Sequence, residues 1–308
     1  MREPWVRIST DQLYQWITDR KDVTIIDALP AEIFRQRHLP EAKNASVYEV
    51  TFPEQVKAAV SDKTQQIVVY GSSEASSDAK TAAEKLKRLG YQKVYVLAGG
   101  AAAWHAAGYH IEGDNIESAV KPDNLLRLTD GVYSVDVGQS VIEWTGRNPN
   151  GKHFGRVHLL QGEMIVKEKS LSGSFKIDMT SIENTDLAGD ELQPVLISHL
   201  MSDDFFFVKL FPSAVFTITA AKAVEPAALS APNYEIEGIL ELRGVRRALR
   251  FPATLSKLSE KQMAAEAHFD FDRTHWNVIY GSSRFFEHLG MHLVFDPISI
   301  QLRMIANS

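Results

Sequence analysis

The chain has 308 residues, 44% of them hydrophobic and 23% charged, with a formal net charge of −6. That balance fits a folded globular protein and argues against a nucleic-acid surface, as does the lack of any Lys/Arg run. No apolar stretch reaches the roughly 18 residues that span a bilayer, and with no cysteine there can be no disulfide, thiolate metal site or thiol nucleophile.

The first residues, MREPWVRISTDQLYQW, lack the apolar core of a signal peptide, so a cytoplasmic location is expected. From residue 9 to about 113, strand and helix signals alternate. VTIID (23–27), IVVY (67–70) and VYVL (94–97) are short apolar runs of the kind buried in parallel sheets. The clearest helix starts near Ser77, puts Ala79, Ala82, Ala83 and Leu86 on one face, and stops at Gly90. The reading is α/β, a mostly parallel sheet with helices on both faces. Between IVVY and that helix lies GSSEASS, a loop at a helix N-terminus, where unpaired N–H groups favour an anion. A Ser-capped helix start is the simpler account of the same residues.

After a polar joint, GDNIESAVKPDN (113–124), the period changes to two. Phe175, Ile177 and Met179 share one face of a strand, and Tyr234, Ile236, Leu240 and Leu242 share another. HFDFD (268–272) and ISIQLRM (298–304) continue the pattern, which predicts an antiparallel barrel or sandwich. The domains are therefore read as 1–116, a linker at 117–128, and 129–308. Asp203 and Asp204, followed by three phenylalanines, read as a turn or helix start rather than a carboxylate pair. His288 and His292 are four apart, but Gly290 argues against a helix there, so no metal site is expected.

Two family resemblances overlie this pattern. In the first half, GYQKVYVLAGGAAAWHAAGYHIEG (90–113) and IIDALPAEIFRQRHLPEAKNA (25–45) resemble a rhodanese domain over nearly all of residues 5–113. That family carries a Cys nucleophile in the loop after the IVVY-type strand, with an Arg and a Ser five and six positions on. The resemblance puts Gly71 at the Cys position, Ser76 at the Arg position and Ser77 at the Ser position, with Glu74 in place of a mid-loop glycine. The thiolate is the required nucleophile, so sulfur transfer by this loop is not expected, and no residue is assigned as catalytic.

In the second half, the chain from about 130 to 306 resembles the YceI-like, polyisoprenoid-binding family. The resemblance is carried by YSVDVGQSVIEWTGRNPNGKHFGRVHLLQGEM (133–164), SHLMSDDFFFVKLFPSAVFTI (198–218) and FDFDRTHWNVIYG (269–281). It departs at Gln139, where the family usually has His. The resemblance implies a lipocalin-like antiparallel barrel holding a polyisoprenoid, an isoprenoid quinone or a similar amphiphile, with no other cofactor. Inward apolar residues would line an elongated slot, and the candidates are Trp144, Phe175, Ile177, Met179, Phe216, Ile218, Tyr234, Ile236 and Leu240. His153 and His199 join them as groups that could meet a ligand's polar end at a mouth. The function expected is non-catalytic lipid binding, with the rhodanese-like half as a docking or regulatory module for a protein partner, and homodimerisation through the barrel as a family expectation. A sulfurtransferase-related enzyme and a pure protein-interaction protein with a filled barrel stay open as alternatives.

Overall fold

A computed structural model describes residues 5–115, 128–168 and 170–308. The expected linker at 117–128 lies outside them except for Leu128. The chain divides into two compact units, Met1–Val120 and Lys121–Ser308.

In the first unit, β1 (Val6–Ile8), β2 (Val23–Asp27), β3 (Lys43–Asn44), β4 (Gln66–Tyr70) and β5 (Lys93–Leu97) form one sheet in the order β1-β5-β4-β2-β3. Every pairing is parallel. The strands are apolar on both sides because both faces are covered. Val68 and Tyr70 meet Leu13 of α1 (Thr10–Thr18) and Trp104 of α5 (Gly100–Ala106). Ile67 and Val69 meet Val56 of α3 (Phe52–Ala59) and Ala82, Ala83 and Leu86 of α4 (Asp78–Arg88). The helix α2 (Ala31–Gln36) completes the set. α4 ends as its sequence requires: Gly90 takes a φ of 90°, and the Tyr91 N–H turns back to the Leu86 carbonyl at 3.1 Å.

The second unit is a closed antiparallel barrel. Its strands are β6 (Gly131–Val135), β7 (Val141–Asn148), β8 (Gly151–Lys167), β9 (Ser170–Asn184), β10 (Ser213–Ala223), β11 (Tyr234–Leu242), β12 (Val245–Ser259), β13 (Gln262–Asp272) and β14 (Pro297–Asn307). β6 and β7 both pair with β8 and β14 and share one position in the wall, and the β13–β14 pairing closes the ring at eight positions. Along β11 the inward residues Tyr234, Ile236, Leu240 and Leu242 are buried, while Glu235, Glu237 and Glu241 lie on the outer face. Glu235 meets Arg250 of β12 there at 2.6 Å. Between β9 and β10, α6 (Leu192–Met201) sits against one end of the barrel, and Asp203 and Asp204 form the turn that follows it. Among the described residues, no helix is long and apolar enough to cross a membrane.

Candidate functional site

In the α/β unit, the loop after β4 keeps the position of a reactive loop but not its open interior. The Asp78 side chain, on the first residue of α4, turns back into the loop and is buried. Its Oδ2 accepts the Ser72 N–H at 3.0 Å and the Ser72 hydroxyl at 2.9 Å, and its Oδ1 accepts the Tyr48 hydroxyl. Burial works against ionising this carboxyl. The hydrogen bonds from Ser72, Ser76 and Tyr48 outweigh it and hold the pKa below the ordinary carboxylate range. The acidic phenol partner and partial burial push Tyr48 up to about 12.

Glu74, in place of the mid-loop glycine, does not turn its charge into the loop. It instead faces away, paired with Arg7 at 2.6 Å and accepting the Gly99 N–H at 3.0 Å, and the Arg7 contact holds its pKa low. The Ser-capped helix start also needs correction. Ser77 stands at the N-cap position but its side chain makes no capping bond, and the Ser76 hydroxyl takes the Asp78 N–H at 3.4 Å. With φ of −91° and ψ of 1°, Ser77 is not in the extended conformation that aims a side chain at the first helical turn.

The barrel interior is different in kind. It holds a cavity of about 260 Å³, larger than the roughly 150 Å³ cavity that suffices to bind benzene. Leu171 and Ile182 of β9 both line it. β9 is bulged between them, but on its partner β8 Leu171 faces Val166, and Glu183, next to Ile182, faces Arg156. At ~3.3 Å per residue the lining therefore extends over about 30 Å of strand before barrel tilt shortens it. The result is a long, narrow slot.

Most of the residues expected from the sequence stand on its wall. Trp144 of β7, Phe175, Ile177 and Met179 of β9, Phe216 and Ile218 of β10, and Ile236 and Leu240 of β11 all line the cavity. The alternation that sets them inward is the pleat itself, and the register confirms it by pairing Phe216 with both Phe175 and Leu240. His153 also lines the cavity, paired in register with Gly146, and its Nδ1 lies 2.8 Å from Asp186 Oδ2. Asp186 is fixed in turn by the Phe154 N–H at 2.7 Å and the Asn184 amide.

Two expected residues are elsewhere. Tyr234, the first residue of β11, is buried in the barrel's apolar cluster but does not line the cavity, although its register partner Ala253 on β12 does. His199 lies on the flank of α6, while Leu196 and Leu200 of the same helix face the cavity. Its Nε2 meets Asp204 Oδ2 at 3.2 Å, and its ring stands edge-on to Phe205 and Tyr280. Gln139 is in the turn between β6 and β7, exposed and bonded to Asp136. His288 is almost fully exposed, and His292 is bonded to the Tyr280 hydroxyl at 3.0 Å.

The sequence reading missed several lining groups. Phe251 of β12 and Phe269 of β13 stack across the cavity wall with ring centroids 4.1 Å apart. Their strands carried the same period-two signal and could have been included. Leu196 and Leu200 on α6, and Arg273 after β13, could not be placed that way, because a capping helix and a turn have no strand alternation to follow. The polar residues on the wall gather at one end, where Asn148, His153 and Arg273 stand. At the other end Met164, Leu171, Leu255 and Met304 are nearly fully buried.

Comparison with known proteins gives each unit a likeness. Residues 133–306 match the YceI-like domain family, and residues 9–107 match the rhodanese-like domain family. Among solved structures, BcnA from Burkholderia cenocepacia is 18% identical, covering 56% of this chain and 99% of its own, with a TM-score of 0.45. A polyisoprenoid binding domain from Saccharophagus degradans, implicated in plant cell wall breakdown, is 13% identical over 57% of this chain and 98% of its own, with a TM-score of 0.43. The thiosulfate sulfurtransferase of Pseudomonas aeruginosa is 25% identical over 35% of this chain and 20% of its own, with a TM-score of 0.33. No curated protein sequence matches the chain.

Proposed function

The chain belongs to the YceI-like domain family and carries a rhodanese-like domain ahead of the barrel, and from that premise we propose that it binds one long-chain amphiphile, a polyisoprenoid or an isoprenoid quinone, without chemical turnover. The observation that carries this reading is the shape of the barrel cavity: long, narrow, walled by apolar side chains, and polar at one end only. A flexible hydrocarbon chain threaded into such a slot gains roughly 25 cal/mol for each Å² withdrawn from water, against the cost of ordering it. Asn148 and His153 stand where the chain's polar end would rest, with Asp186 holding the imidazole.

The rhodanese-like domain then serves as a docking or regulatory module. Its family's chemistry needs a thiolate, the chain has no cysteine, and Asp78 fills the loop where that group would stand. Native mass spectrometry of the purified full-length chain, before and after organic extraction, tests the proposal. A long-chain amphiphile should leave with the solvent and a prenyl quinone should rebind. If none co-purifies and added prenyl quinone does not bind, the proposal fails.

A further inference from the structure

The polar end of the cavity lies inside a ring of exposed apolar side chains supplied by three separate elements. On β8, His153 lines the cavity while the next residue, Phe154, faces solvent. On α6, Leu196 and Leu200 line it while Leu192 and Val195 are 60% and 61% exposed. In the segment between the last helical turn after β13 and β14, Val294 lines the cavity while Phe295 is exposed, and Phe285 and Met291 are 53% and 87% exposed. This segment is held to the same end of the barrel. The Phe295 N–H donates to the Arg147 carbonyl at 2.9 Å, and the Tyr280 ring meets His199 of α6 at 4.6 Å. Side chains of this size left in water around an opening mark a contact surface.

We propose that this ring docks on a lipid bilayer, with the cavity mouth turned to the acyl chains, so that the ligand passes between membrane and barrel without crossing water. The proposal rests on the reading of the cavity as a lipid slot. Two features select a bilayer over another occupant. The ring and the wall are continuous, residue by residue, along all three elements, so whatever covers the ring also covers the mouth. A protein cover would seal the slot, whereas a bilayer covers it and holds the class of molecule that fits inside. The rim also carries both signs of charge: Lys152 lies over the Phe154 ring and Arg284 precedes Phe285, while Asp204 and Glu287 are exposed carboxylates. The attraction is therefore apolar, directed at neutral headgroups and insensitive to salt.

Co-flotation of the full-length chain with phosphatidylcholine vesicles tests this. The chain should float at low and high salt alike, and Phe285→Asp/Met291→Asp should lower its vesicle partition on the order of tenfold or more. Leu258→Asp on the outer wall should float like the parent. The proposal is overturned if the parent chain stays in the soluble fraction, if salt releases it, or if the double variant floats undiminished. It is also overturned if sedimentation shows the double variant splitting a dimer, which would make the ring a contact between copies. Uptake of farnesol from solution, followed by intrinsic fluorescence, separates the two readings. Uptake without flotation overturns the docking alone, and no uptake overturns the cavity reading beneath it.

Discussion

Gly71 and Asp78 exclude each other's side chains: a Cβ built on Gly71 would lie 2.8 Å from Asp78 Oδ2 and closer still to its Cβ. The place where the related enzymes keep a nucleophile is thus taken by a carboxylate that satisfies the loop's Ser72 N–H from within. Restoring the missing residues alone should therefore fail. Gly71→Cys/Ser76→Arg is expected to make thiocyanate from thiosulfate and cyanide no faster than buffer, because the new thiol meets Asp78 and its negative charge disfavours a thiolate. Adding Asp78→Gly removes both the carboxylate and the Cβ that lies nearest the new side chain, and the triple variant should exceed the double. Equal rates in double and triple would show that Asp78 is not what keeps the loop silent.

The contrast between the two units shows what the sequence could express. Strand alternation in β9, β10 and β11 put Phe175, Ile177, Met179, Phe216, Ile218, Ile236 and Leu240 on one surface, and the barrel turns that surface inward. Whether the interior is filled or hollow was not legible, because it depends on volumes summed around the ring. The alanines at 253, 265 and 267 leave space that Phe251 and Phe269 do not fill, and no single strand records that sum. The fold of Asp78 into its own loop was equally hidden: at the first position of a helix an Asp usually marks the dipole, and nothing local tells it to turn back.

Asp27 gives the α/β unit a pH dependence of known sign. It is fully buried at the end of β2 with Oδ1 accepting the Leu29 N–H at 2.7 Å, and burial raises its carboxyl from 3.8 to about 6. Between those values the folded state holds a proton that the unfolded chain has released, so stability falls as pH rises through that window. Above about pH 6 the loss is complete and amounts to about 3 kcal/mol. Asp27→Asn keeps the acceptor for Leu29 and removes the ionisation. The unfolding free energy of the variant relative to the parent, measured in urea, should grow in its favour from pH 4 to 6 and level off above. A difference constant across that range would place the proton elsewhere.

Filling the slot should separate binding from folding. Ala267 of β13 faces the cavity beside Phe269 and Leu302. Ala267→Phe places a ring in empty space, so the melting temperature should hold or rise while prenyl-quinone uptake falls more than tenfold. Phe251→Ala does the reverse. It removes one half of the stack with Phe269, enlarges the cavity and should cost about 3 kcal/mol, with binding kept. Unchanged uptake in Ala267→Phe would mean that the ligand does not sit in the barrel.

Arg273 is the buried cation that fastens the mouth. It is 1% exposed, and its guanidinium donates from Nε to the Phe295 carbonyl at 3.2 Å, from one terminal nitrogen to Val278 at 2.5 Å and from the other to Val294 at 3.1 Å. Asp296 stands 3.9 Å away and also holds Arg284 at 3.0 Å. All three carbonyls belong to the segment that follows β13 and carries Phe285, Met291 and Phe295. Arg273→Met leaves those three carbonyls without their donor and Asp296 with Arg284 alone, a loss of about 3 to 5 kcal/mol. Arg273→Lys restores the charge but not the fork that reaches three acceptors, and should recover only part of it. Limited proteolysis should nick both variants within 277–296 before any barrel strand, with Met cut faster than Lys. If both variants resist cleavage like the parent, the segment is held by Tyr280 and Arg284 instead.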